Sequence, residues 1–285
     1  MRTLVLSVVV STLLLVVVQV ALAQPAEFTR DQALANAGRV YMATSNRAPG
    51  AIVQMLAAGF HDPAEGLRVV YTRPAGNLTS FCFFTPVSAT PVAPPPARGT
   101  VLKPSAPALN FFFTNGISDK RIWRAATATP GETVVYTDRE YVREVTRGPG
   151  GATYFSRSFG AGRDGVIYRL DSAMHAAVYY TVRLSQVGGF WAGNFAFNPA
   201  GVLYISNGNM QHAKIWVCPL SGTPSIAYTN VTEQPILGFC FTAARTFLFT
   251  VGSEHVRWAT LGDAPWEGFF DCTGSEDKFC DVVLR

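Results

Sequence analysis

One phrase recurs along the chain, and its repeat length limits what the chain can fold into. Leu203-Tyr204-Ile205-Ser206 leads through the polar loop Asn207-Gly208-Asn209 to Lys214-Ile215-Trp216-Val217, and then to Ile226-Ala227-Tyr228-Thr229. The same order runs through Phe112-Phe113-Thr114, Arg121-Ile122-Trp123-Arg124 and Val134-Val135-Tyr136-Thr137. It returns as Tyr154-Phe155-Ser156, Val166-Ile167-Tyr168-Arg169 and Val178-Tyr179-Tyr180-Thr181. Cognate positions lie roughly 40 to 50 residues apart, the length of one four-stranded blade. Short runs of β-branched and aromatic residues bounded by Gly, Asn, Ser and Thr read as strands. The pattern predicts an all-β protein, a β-propeller.

With the strands of a blade lettered a to d from the axis outward, the first repeat supplies b at 39–44, c at 51–56 and d at 67–72. The second runs 79–85, 110–114, 120–125 and 132–137, and the third runs 141–145, 153–156, 165–170 and 177–182. The fourth runs 193–198, 202–206, 213–218 and 225–230, and the fifth runs 237–242, 246–250, 255–260 and 266–270. The first repeat lacks an a strand, whereas residues 279–284 form a spare strand at the C-terminus. A last strand that completes the first blade closes the ring and removes its open edges. Five blades result; six stay open if one blade has diverged around residues 86–108. That stretch, with Pro94-Pro95-Pro96 among Ala, Ser and Thr, is predicted to be an extended insertion without a core.

The first 23 residues carry the marks of a secretory leader: Arg2, an apolar run from Leu4, and Ala21-Leu22-Ala23 before Gln24. Residues 24–285 then form one propeller domain, opened by a short helix with Thr29 and Gln32 as its capping box and Gly38 as its stop. Export implies a secreted, cell-surface or luminal protein with no stable membrane span once the leader is removed; the alternative is a retained anchor, since the apolar run from Leu4 to Ala23 almost reaches spanning length. Charged residues make up 15% of the chain, against about 25% in typical domains. The net charge of +4 is too small to point to nucleic acid. Asn77-Leu78-Thr79 and Asn230-Val231-Thr232 are glycosylation acceptors in an exported chain, and both are predicted on surface loops. Of the five cysteines, Cys272 and Cys280 flank a polar turn and are the expected disulfide, while Cys82 and Cys240 sit inside apolar strands as small hydrophobes.

In a propeller the d–a and b–c loops gather on one face around the axis. The b–c loops here carry Asn46 and Arg47, Asn115, Arg157 with Asp164, and Asn207, Asn209 and His212. Asn and Gly suit turns wherever they sit, but the arginines and the histidine are not explained by turn chemistry and are candidate ligand contacts. Trp191, between glycines and just before Asn194, is either a stacking platform for a flat ligand or a plug of the central channel. Nucleophile and metal templates are absent: no Gly-x-Ser-x-Gly, no His-x-x-x-His, no paired Cys-x-x-Cys and no repeated Asp-x-Asp loop.

The repeat around Phe197-Asn198-Pro199-Ala200-Gly201-Val202-Leu203-Tyr204, with Gly150-Gly151-Ala152-Thr153-Tyr154-Phe155-Ser156 and Val166-Ile167-Tyr168-Arg169-Leu170, resembles the propellers of the senescence-marker/gluconolactonase and strictosidine-synthase-like superfamily, with NHL-type propellers as looser kin. For the lactonase branch the resemblance implies an axial divalent metal held by Glu, Asn and Asp. Here Gly193 occupies the expected Asn position with Asn194 one place off, Ala200 replaces an expected Asp, and no Glu-Gly-Pro precedes the first b strand. For the strictosidine-synthase branch it implies one axial Glu, for which Glu140 and Glu233, each just before an a strand, are the candidates. The expectation is therefore a non-catalytic propeller that binds an extracellular glycan, small molecule or protein without a cofactor, calcium being held open. A small-molecule hydrolase with its site on the axis and a structural component of a surface assembly are the alternatives.

Overall fold

The computed structural model describes residues 39–44, 49–56, 59–60, 66–84, 108–116, 119–157, 162–189, 191, 193–207, 213–230, 234–251, 255–262, 266–271 and 279–285. The leader, the opening helix and all but the end of the proline-rich insertion lie outside these residues.

Five antiparallel blades surround an axis. Blade 1 is β21 (Phe279–Leu284), β1 (Val40–Thr44), β2 (Ala51–Met55) and β4 (Leu67–Thr72), in that order outward. Blade 2 is β5 (Ser80–Phe83), β6 (Asn110–Thr114), β7 (Arg121–Ala126) and β8 (Thr129–Thr137). Blade 3 is β9 (Val142–Arg147), β10 (Thr153–Arg157), β11 (Gly165–Leu170) and β12 (Ala176–Val182). Blade 4 is β13 (Phe195–Phe197), β14 (Leu203–Ser206), β15 (Lys214–Cys218) and β16 (Ser225–Thr229). Blade 5 is β17 (Ile236–Phe241), β18 (Thr246–Val251), β19 (His255–Thr260) and β20 (Glu267–Asp271). The C-terminal strand closes the ring as the repeat predicted, pairing Val40 with Leu284 and Thr44 with Phe279. One strand among the described residues was not predicted: β3 (Gly59–Phe60) adds in parallel to the outer edge of β20.

The repeated phrase has two physical uses. Its Ser or Thr lies at the end of each b strand or one residue before it, as Thr44, Thr114, Ser156, Ser206 and Thr250, and all five are fully buried. The Thr114 hydroxyl donates to Arg143 O at 2.9 Å and the Ser156 hydroxyl to Gly193 O at 2.7 Å, each stitching its blade to the chain entering the next one. Thr250 Oγ1 instead accepts from Gly238 N at 3.0 Å, filling the bulge where β17 slips register against β18. Thr44 Oγ1 accepts from Ala51 N at 3.1 Å within its own blade, whereas the buried Ser206 hydroxyl has no partner among the described residues, so four of the five positions avoid the cost of an unpaired buried hydroxyl.

The aromatic of each d strand is the second device. Tyr71 packs on Phe111 (4.8 Å between ring centroids), Tyr136 on Phe155 (5.0 Å), Tyr228 on Phe247 (5.1 Å) and Phe270 on Phe279 (6.2 Å). Each contact crosses to the following blade. Consistent with this, the buried apolar side chains divide into clusters that each straddle one seam between neighbouring blades. Aromatic pairs of this kind contribute about 0.5–1.5 kcal/mol beyond their burial. The inner strands β21, β5, β9, β13 and β17 touch in that cyclic order and enclose the axis.

Two faces and an axial cavity as the candidate functional site

On the face of the d–a and b–c loops, Arg157, Asp164 and Asn207 of the predicted contact residues are engaged inside the fold. Arg157 lies 2.9 Å from Asp138, whose side chain is fully buried, and its guanidinium stands 4.2 Å from the Tyr168 ring. The Asp138 carboxylate also accepts from Tyr136 Oη at 3.0 Å and from Arg139 N at 2.6 Å. Asn207 Oδ1 accepts from Lys214 N at 2.7 Å and closes its own b–c turn. Asp164 Oδ1 accepts from Leu184 N at 2.9 Å, tying the turn before β11 to the segment after β12. Asn115 is half-buried after Thr114, beside the turn at Gly76. Asn46, Arg47, Asn209, His212 and Glu233 lie outside the described residues.

Trp191 is not a ligand platform. It is 8% exposed, its indole N–H donates to Asn194 O at 3.1 Å, and its ring lies against Gly165. A Cβ at residue 165 would sit 2.0 Å from Trp191 Cε3, so only glycine allows the ring to pack there. Asn194 is likewise buried and donates to Ile236 O at 3.2 Å, bridging blades 4 and 5. Arg157, Asn207, Trp191 and Asn194 therefore fix the face and do not present it.

The covalent sites also divide. Asn77 is exposed, as expected of a glycan acceptor. Asn230 is not on the surface: it is fully buried and Nδ2 donates to Gln234 O at 3.0 Å, so that nitrogen is turned into the fold. Cys280 lies in the seam between blades 1 and 2, its Sγ 3.1 Å from Thr79 O, while Cys272 falls outside the described residues. Cys82 is buried as expected, and burial pushes its thiol above the ordinary range; Cys240 is half-buried by its exposed area with its thiol raised for the same reason.

The axis holds what the sequence motifs do not mark. A cavity of about 180 Å³ is lined by all five inner strands. Its lining comes from their C-terminal halves, so it faces the a–b turns, opposite the predicted face. Phe83, Arg147, Phe197, Phe241 and Leu284 stand toward those turns, and deeper in lie Glu144 of β9 and Asp281 of β21. Both carboxyls are buried, at 6% and 2% exposure. Asp281 Oδ2 accepts from Phe81 N at 3.1 Å and Oδ1 from Val282 N at 2.8 Å. The Ser80 hydroxyl reaches both acids and also accepts from Val145 N at 3.0 Å. Burial pushes Asp281 up to about 7, and burial together with the neighbouring Asp281 charge holds Glu144 well above the usual carboxylate range. Glu140, the predicted axial acid, is half-buried in the d–a loop, where its backbone N–H caps Asp138 at 3.2 Å. The axial acid on that strand is Glu144, four residues on.

Around the mouth of this cavity the a–b face carries a second feature. A groove of about 820 Å³ between blades 2 and 3 is lined by Phe84, Phe112, Arg124, Arg147, Arg169 and the turn containing Asp171 and Met174, among others. Arg124 stands 5.2 Å over the Phe84 ring, and Arg147 donates to Thr153 Oγ1 at 2.9 Å. Arg124 and Arg169 are exposed. The ion pairs among the described residues use other arginines: Arg73 with Glu132, Arg121 with Asp119, Arg157 with Asp138 and Arg257 with Asp271. Asp171 in the groove pairs with His175 at 3.2 Å, and the backbone N–H of His175 lowers its pKa most. The groove arginines thus retain donors for an incoming anion. Their signal was in the repeat: Arg124 and Arg169 end the cognate phrases Ile122-Trp123-Arg124 and Ile167-Tyr168-Arg169.

Among the described residues no three His, Cys, Asp or Glu side chains converge, and no helix is long and apolar enough to cross a membrane. No family model matches the chain, and no curated protein matches it. Solved structures do. A chain of a nidogen/laminin complex is 11% identical over 85% of this chain and 97% of its own length, with a TM-score of 0.49. A gluconolactonase from Xanthomonas campestris is 16% identical over 58% of this chain and 60% of its own, TM-score 0.39. TolB from Acinetobacter baumannii is 14% identical over 76% and 51%, TM-score 0.43. The β-propeller architecture is established by this chain's own five blades.

Proposed function

We propose that this is an exported, non-catalytic β-propeller that holds an extracellular acidic ligand, an anionic glycan in the first place, against its a–b face. The observation that carries this is the groove lined by Arg124, Arg147 and Arg169, none of which has a carboxylate partner among the described residues. Guanidinium groups bind carboxylate and sulfate oxygens through paired N–H donors, and a shallow groove of several arginines suits a chain of such groups. The site is shifted from the b–c loops to the opposite face, because the described b–c side chains of Arg157, Asp164 and Asn207 already serve the fold. No cofactor is assigned, since the axial pair supplies two carboxyls and a hard cation such as calcium takes about six to eight oxygens.

A hydrolase is the second reading, favoured by one observation: Glu144 and Asp281 line one cavity, and a pair with one proton between them can act as acid and base. The cavity of about 180 Å³ is smaller than the roughly 300 Å³ at which small-molecule sites begin, which ranks this reading second.

The test is binding of the purified protein to immobilised heparin and to neutral dextran at low and high salt. Retention on heparin that salt reverses, and that the triple variant R124A/R147A/R169A loses while its melting temperature stays unchanged, is the expected result. Equal retention of the wild type and a folded triple variant would overturn the proposal. Turnover of ester or lactone substrates that E144Q abolishes would transfer the assignment to the axis.

A further inference from the structure

The closing strand of the propeller is joined to its neighbours by an acid, and this sets a dependence on protons. Asp281, from β21, accepts the backbone N–H of Phe81 in blade 2 at 3.1 Å, and Glu144 reaches the same point of the axis from blade 3. The Ser80 hydroxyl lies between them. It has one proton, while Val145 O (3.3 Å) and the two carboxyls all stand to accept it. One donor cannot satisfy three acceptors. Close packing prevents the pair from relaxing apart: a Cβ on Gly238 would sit 2.8 Å from Asp281 Oδ1 and 2.6 Å from its Cα, so β17 is pressed against the acid.

Of the other ionisable and charged groups packed around the pair, β5 presents the Cys82 thiol, β9 presents Arg143 and Arg147, and β17 presents the Cys240 thiol. From β13 the cavity receives Ala196 and Phe197, neither of which titrates. Arg143 lowers the Glu144 pKa, but burial outweighs it. The thiols are neutral through the neutral pH range, since burial raises both.

We infer that Glu144 and Asp281 share a proton in the folded protein, and that losing it loosens the C-terminal strand β21 from the ring. An acid whose folded pKa is raised binds its proton more tightly folded than unfolded. Its contribution to stability is fully present below the ordinary carboxylate pKa of about 4 and falls away as pH rises through the folded value near 7. The ring is therefore a latch that opens toward alkaline pH, by like-charge repulsion between strands from blades 1 and 3.

Two measurements decide this. The first is hydrogen exchange of the intact protein at pH 6 and pH 8.5, normalised to intrinsic exchange. Protection of residues 279–284 should fall severalfold at the higher pH, while residues 203–218 of blade 4 keep theirs. Equal behaviour of the two segments would overturn the latch. The second is the melting temperature over the same range. It should decline for the wild type and decline less for E144Q, in which one charge is gone; an equal decline in both sinks the shared proton. Should E144Q not fold, infrared difference spectra of the wild type provide the readout: a protonated carboxylic acid band present at pH 6 and lost by pH 8.5 is expected, and its absence at pH 6 overturns the inference.

Discussion

The two faces of this propeller use the same residue type in opposite ways. On the b–c face, Arg157 is locked onto Asp138 and Tyr168, and Arg257 onto Asp271 beside Trp266. On the a–b face, Arg124, Arg147 and Arg169 line a groove with no such partner among the described residues. A guanidinium closed off by a buried carboxylate holds loops in place, whereas one that faces a groove can bind. Residue identity is the same in both settings, and only the neighbours separate the roles.

The strongest way to break this contrast is Arg157→Ala. It leaves the fully buried Asp138 carboxylate without its cation, and the expected destabilisation is about 2–3 kcal/mol. The melting temperature should fall by several degrees while heparin binding of the folded protein stays as it was. The double variant R157A/D138A should recover part of that stability, since the stranded charge is gone; no recovery would mean that Arg157 acts by stacking on Tyr168 alone.

Arg147→Ala is the reciprocal change. Arg147 borders both the axial cavity and the groove, and its removal should weaken heparin binding about tenfold, or roughly 1.4 kcal/mol. Its effect on stability should stay within about 1 kcal/mol, because the substitution removes a single hydrogen bond, to Thr153. A large drop in melting temperature with unchanged binding would reverse the assignment of the two faces. Smaller still is Asn207→Ala, which removes the bond closing a b–c turn and should cost about 1 kcal/mol without touching binding. Last, calcium against a chelator should leave the melting temperature unmoved. A shift of several degrees would mean that the axial pair gathers further oxygen ligands.

Much of the architecture was legible in the repeat. The blade unit, its strand order and closure by the last strand follow from a phrase of blade length whose Ser or Thr and whose Tyr recur in step. Those positions were readable because each serves the same purpose in several blades: the buried hydroxyl bonds a neighbouring inner strand, and the Tyr packs on the next blade. The added strand β3 was not legible, since two residues pairing in parallel with a distant edge leave no periodic trace.

The site was less legible, for a physical reason. Position in a b–c loop suggested contact with a ligand, but a polar loop side chain can equally satisfy its own turn, as Asn207 does. Trp191 is readable from sequence only as a stacking platform or a channel plug, and it is neither: its ring packs over Gly165 in the seam between blades 3 and 4. Glu144 and Asp281 stand in plain view as single acids inside inner strands, at Arg143-Glu144-Val145 and Cys280-Asp281-Val282. Sequence logic looks for an axial acid just before an a strand and not within it, so neither stands out.

The sequence by itself determined the blade unit and the way the ring shuts, because periodic local patterns dictate strands and their order; the structure decided for five blades over six. Tertiary structure alone decided which arginines are paired and which acids meet on the axis. Those properties depend on distances between residues as far apart in the chain as Ser80, Glu144 and Asp281, and burial, which sets their charge, exists only once five blades have closed around them.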